Sequence, residues 1–84
     1  MEIINEIIAV WLKSERYELI KEFEEAPQGA ASGGEGAGII ANFLIQLETK
    51  NSEAFLEIEH LAIDYFKYLS GRGMHVRKSD GTYY

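Results

Sequence analysis

Residues 52–70, SEAFLEIEHLAIDYFKYLS, carry the pattern on which the fold turns. Phe55, Ile58, Ala62, Tyr65, Phe66 and Leu69 recur at spacings of three and four, the period of an α-helix. Leu56 and Ile63 widen this stripe on one side, and Ala54, Leu61 and Tyr68 widen it on the other. At about 100° per residue the apolar arc covers roughly two thirds of the helix, more than a surface helix needs. The helix is therefore expected to lie centrally. An arc that wide on so small a chain predicts a homodimer packed across a two-fold axis.

The chain has 84 residues, one small domain. A chain of this size buries only about 60–65% of the surface it exposes unfolded. With no cysteine, neither a disulfide framework nor a thiolate metal site is available. Glu2 and Glu6 stand where a signal peptide would carry Lys or Arg, and the longest apolar run, residues 7–12, is too short to span a membrane. These features predict a soluble protein of the cytoplasm.

The net charge of −6 is unevenly spread. Residues 1–70 hold five Lys/Arg against thirteen Asp/Glu, a balance of −8, whereas residues 71–84 carry +2. An acidic body disfavours duplex nucleic acid, whose binding rests on neutralising phosphates. It suits a basic protein partner.

Outward from the central segment, residues 39–50 place Ile40, Phe43, Leu44 and Leu47 at helical spacing. The turn at Lys50–Asn51–Ser52 is short, so this helix and the central one are predicted to be antiparallel neighbours, with Asn51 or Ser52 as cap. Gly71 is predicted to end the central helix in a left-handed conformation. The block from Glu2 to Glu25 carries Ile4, Ile8, Trp11 and Leu12, then Leu19, Ile20 and Phe23, with the stripe broken at KSER, residues 13–16. Ser14 could cap a second helix, but Tyr17 stands where a capping box wants Glu or Gln. The block is therefore expected to form one helix, with KSER as the place for a bend. Residues 26–38, APQGAASGGEGAG, predict a flexible loop between helices one and two. The expected fold is all-α: three main helices in residues 1–71, then a basic and aromatic tail over 72–84. Met74, Val76, Tyr83 and Tyr84 flank Ser79–Asp80–Gly81 there, a turn signal for a short hairpin, with a frayed terminus as the alternative.

Few constellations carry chemistry. The Gly-rich segment follows no strand and contains no Lys, so it lacks the context of a phosphate loop. Glu53, Glu57, His60 and Asp64 share one narrow stripe, and Glu57-x-x-His60 has the local form of a carboxylate-bundle metal motif. One copy of such a motif is too few for a di-metal site without a second subunit. The stripe is read first as the wet face of the helix, with a metal-binding or catalytic bundle on Glu53, Glu57 and His60 as the alternative. Glu59 projects near Leu56, Ile63 and Phe66, either buried with a raised pKa or reaching to water at the edge of the packed face. No serine stands in a nucleophile-elbow context, so no catalytic residue and no cofactor are expected.

Glu18, Glu22, Glu24 and Glu25 gather toward the end of helix one, where carboxylates oppose the helix dipole. Such an arrangement fits recognition of a basic surface. Arg72, His75, Arg77 and Lys78 form a basic cluster among aromatic residues, suited to docking on the acidic body of a second subunit or, less readily, to stacking on single-stranded nucleic acid. Trp11 reads as core and Tyr17 as a possible anchor. The expected function is that of a non-enzymatic protein-interaction module of inhibitor, antitoxin or immunity type that binds a basic partner. Regulation by nucleic-acid contact through the tail is an alternative.

Overall fold

A computed structural model describes residues 2–78 and 80–84. Ser79, part of the expected tail turn, lies outside the described residues. The element order is α1 (Glu2–Lys13), α2 (Tyr17–Glu25), a 3-10 turn (Ala26–Gly29), α3 (Gly33–Lys50) and α4 (Ser52–Gly71). The fold is all-α, but among the described residues there are four α-helices rather than the three expected. The difference arises at residues 13–16, where the expected single helix is two. The Arg16 amide donates to the Trp11 carbonyl and the Glu15 amide to the Leu12 carbonyl, the bond pattern of a helix-ending Schellman motif. Glu15 holds the left-handed position of that motif, with φ of 57°. Glycine is the usual occupant, so the interrupted apolar stripe at KSER, and not a turn residue, is what marks the break.

α4 lies at the centre, packed by α1 and by α3. Ala54, Phe55, Ile58, Ala62, Tyr65, Phe66 and Leu69 are all buried within the single chain. The flanks of the arc are not covered to the same degree: Leu61 and Ile63 are half-buried, and Leu56 is 64% exposed. On α1 the covered residues are Ile7 and Trp11, so the stripe is turned from the expected one and Leu12 faces outward. Trp11 is fully buried. Its ring packs edge-on against Phe23 of α2 at 5.2 Å, and its indole N–H donates to the Ala54 carbonyl at 3.1 Å. In an unbroken helix that carbonyl serves the Ile58 amide. Ile58 is the residue of α4 with non-helical angles, φ −123° and ψ 15°. The competing donor thus accounts for a kink at this point.

The Gly-rich segment is largely structured, in place of the expected loop over 26–38. Ala26–Gly29 extend α2 as a 3-10 turn, and Gly33 to Gly38 form the first turns of α3. The cause is a capping arrangement at Ser32. Its hydroxyl accepts from the Glu35 amide, while the Glu35 carboxylate reaches back to the Ala31 amide. Gly36 is buried, and a Cβ there would meet those of Ala30 and Pro27 at 3.7 Å, ordinary contact.

Asn51 caps α4 through its side-chain oxygen, which accepts from the Ala54 amide. At the other end Gly73, not Gly71, takes the left-handed conformation, with φ of 86°. The Met74 amide donates to the Leu69 carbonyl and the Gly73 amide to that of Ser70, a second Schellman motif. The chain then reverses. Tyr84 stacks on Phe66 with ring centres 4.7 Å apart, its amide donates to the Val76 carbonyl, and its own carbonyl accepts from the Ser70 hydroxyl. Among the described residues the two arms of the tail meet in one antiparallel bridge, Arg77–Tyr83, and are docked on α4. Among the described residues no helix is long and apolar enough to cross a membrane.

Candidate functional site

The acidic residues of α2 divide into two groups. Ile20 and Phe23 turn inward, and Leu19 sits half-buried at the edge of the helix. Glu18 and Glu22, four residues apart, flank that edge on the solvent side. Facing them across a cleft of about 310 Å³ are Phe43, Gln46, Leu47, Lys50 and Asn51 at the C-terminal half of α3. Phe43 is held there by its tilted contact with Phe23, 5.4 Å between ring centres. The floor is therefore apolar (Leu19, Phe43, Leu47) and one rim is acidic. Lys50 is the cation of the opposite rim. Glu24 and Glu25 are exposed and lie outside the cleft. They also do not sit at a free helix end, because Ala26 keeps a helical conformation and the 3-10 turn follows.

The basic residues divide as well. Arg72 donates to the Tyr68 hydroxyl at 3.0 Å and lines a separate cleft with Gly34, Ala37, Tyr65 and Met74. Gly73 reverses the chain beyond it, so His75, Arg77 and Lys78 fall on another surface. There they edge a cleft of about 540 Å³, with Gly38, Ala41, Asn42 and Ile45 of α3 opposite and Leu69, Met74 and Val76 completing the wall. Lys78 rests its ammonium 5.0 Å from the centre of the Tyr84 ring. At about 100° per residue, the α3 residues of this cleft and those of the acidic cleft occupy different flanks of the helix.

The stripe on α4 is the wet face of the helix at three of its four positions, and Glu57 is the exception. Glu53, His60 and Asp64 are exposed, and Glu57 is half-buried in an ion pair with Arg16. The guanidinium donates from Nε to Oε1 at 3.0 Å and from Nη2 to Oε2 at 2.9 Å. This hydrogen bonding holds the Glu57 carboxyl below the ordinary glutamate value, against a smaller opposing effect of desolvation. It raises the Arg16 guanidinium in turn. Both Glu57 oxygens are engaged, and among the described residues no three His, Cys, Asp or Glu side chains gather as metal ligands. Glu59 is exposed, at the edge of the packed face.

Two members of the candidate site escaped sequence reasoning. Phe43 and Leu47 were assigned to a buried stripe, and only the angle between α2 and α3 shows that they also floor a cleft. The one usable signal was the apolar width of residues 39–47, IIANFLIQL, which exceeds what one buried face requires. Tyr17 is exposed outside all three clefts. Comparison with protein-family models, with curated proteins and with solved structures finds no match to this chain.

Proposed function

We propose that the protein is a small non-enzymatic interaction module that receives a basic segment of a protein partner in the cleft between α2 and α3. One observation carries this reading: Glu18 and Glu22 stand on one rim, over a floor of Leu19, Phe43 and Leu47. Apolar floor and charged rim are the two parts of a protein interface, the first giving affinity and the second orientation and partner choice. The complementary segment has an apolar anchor with Lys or Arg beside it. An inhibitor, antitoxin or immunity-type role follows if that segment belongs to the working surface of the partner.

The test uses a labelled amphipathic Leu/Lys peptide and two charge-reversal variants, Glu18→Lys/Glu22→Lys and Glu24→Lys/Glu25→Lys. All four side chains are exposed, so the variants keep the fold. The expected result is saturable, salt-sensitive binding that weakens about tenfold in the first variant and less in the second. Equal binding by the wild type and the first variant removes the cleft from consideration.

A further inference from the structure

The larger cleft presents an open backbone edge beside an isolated antiparallel bridge. In the tail, the Lys78 amide donates to the Thr82 carbonyl at 2.6 Å and the Tyr84 amide to the Val76 carbonyl at 3.0 Å. These bonds bracket the bridge between Arg77 and Tyr83. In an antiparallel ladder the residue so bracketed turns its own N–H and C=O away from the opposite arm. Strand alternation puts the peptide groups of His75 on the same outward side. Among the described residues neither the His75 nor the Arg77 amide has a protein acceptor. The arm bearing Tyr83 and Tyr84 does not line the cleft, whereas residues 74–78 do, so the open edge is the one that faces α3.

Unpaired peptide groups in a row are a template for another extended chain. The side chains around this edge select its character. Val76 is buried toward the floor, beside Ile45 and Leu69, while Arg77 is exposed on the other face. Lys78 adds a second cation, and among the described residues no carboxylate lines the cleft. A segment lying here places alternate side chains down on an apolar floor and the rest beside Arg77.

We infer that the cleft between α3 and residues 74–78 is a docking site for an extended acidic peptide, which adds as a strand to the open edge of His75–Arg77. The occupant alternates apolar and acidic residues, one face seated on Ile45, Leu69 and Val76, the other pairing across the strands with Arg77. A basic segment of the same shape is repelled. The site is separate from the acidic cleft and takes the opposite charge, so it stands or falls independently of the function proposed above.

The full-length protein is titrated with a labelled octapeptide of alternating Glu and Val, followed by fluorescence anisotropy at low salt. Three comparisons accompany it: the same peptide with alternate amides N-methylated, a Lys/Val octapeptide, and the variant Arg77→Glu, whose fold is checked by circular dichroism. Saturable binding of the Glu/Val peptide is expected, weakened about tenfold by N-methylation and about tenfold by Arg77→Glu, with the Lys/Val peptide bound more weakly than either. Equal binding of the methylated peptide overturns strand addition. Equal binding by Arg77→Glu, or by the Lys/Val peptide, overturns the charge selection. Absence of saturable Glu/Val binding, or a self-associated form of the protein that the peptide fails to displace, overturns the proposal as a whole.

Discussion

The guanidinium of Arg16 lies fork to fork on the carboxylate of Glu57, tying the corner between α1 and α2 to the N-terminal half of α4. The two residues are 41 positions apart, and both side chains are about three-quarters buried. The pair therefore acts as a clamp on a junction that no glycine or proline marks.

A double-mutant cycle on Arg16→Ala and Glu57→Ala is expected to give a coupling of about 0.5–1 kcal/mol, the upper range for a partly exposed bidentate pair. Glu57 is held below its ordinary value of 4.5, so the stabilisation is complete above about that pH and fades as the pH falls through the lowered value. Urea titrations of the wild type and Arg16→Ala at a series of pH values should show their stabilities converging toward acid.

Glu15 and Gly73 occupy the same left-handed position of two equivalent helix endings. Glu15→Gly should raise stability by about 1 kcal/mol, because the strain of a side chain at positive φ is relieved. Gly73→Ala should lower it by about 1–2 kcal/mol for the converse reason. Thermal melts of both variants check the pair.

Gly34 and Gly36 lie inside α3, where a Cβ meets open space in the first case and ordinary contact in the second. Gly34→Ala/Gly36→Ala should stabilise by about 1–2 kcal/mol in total, since glycine is the costlier residue within a helix. No gain in melting temperature would mean that the segment is not helical in solution.

Tyr84 is pushed above the ordinary tyrosine value, first by burial and then by the carboxylates of Glu48, Glu59 and Asp80. Its neutral form thus supports the docked tail. That contribution is present below about pH 10 and lost as the pH rises through the raised value. Tyr84→Ala should cost about 1–2 kcal/mol through the lost stack on Phe66. Tyr84→Phe should keep the stack and shrink the alkaline loss of stability. The remainder belongs to Tyr65, whose phenol is also raised by burial and donates to the Ala37 carbonyl.

The central helix was legible because its burial follows its periodicity: all six residues of the core stripe, from Phe55 to Leu69, are covered. The width of the arc was a weaker guide. Leu56 shows that an apolar side chain at the margin can be left uncovered by the helices of its own chain. The start of α3 was misread because five glycines outweighed a signal that the same residues contain, Ser32 followed three positions later by Glu35. The break at residues 13–16 was legible only as an interrupted stripe, and its left-handed residue was not, since a glutamate at positive φ is set by the helices on either side of it. For the acidic cleft, the spacing of Glu18 and Glu22 was readable along one helix. Their meeting with Phe43 depends on how α2 and α3 cross. The separation of Arg72 from Arg77 likewise depends on the reversal at Gly73.

Trp11 is the single tryptophan of the chain, and it touches three helices at once: its own, α2 through Phe23, and α4 through the Ala54 carbonyl. The molecule thus contains its own optical gauge. Its ultraviolet emission reports the meeting of α1, α2 and the start of α4 in one signal, while Tyr65, Tyr68, Tyr83 and Tyr84 supply a second colour for the other end. Excitation of each chromophore in turn can tell whether the two ends come apart together or one after the other.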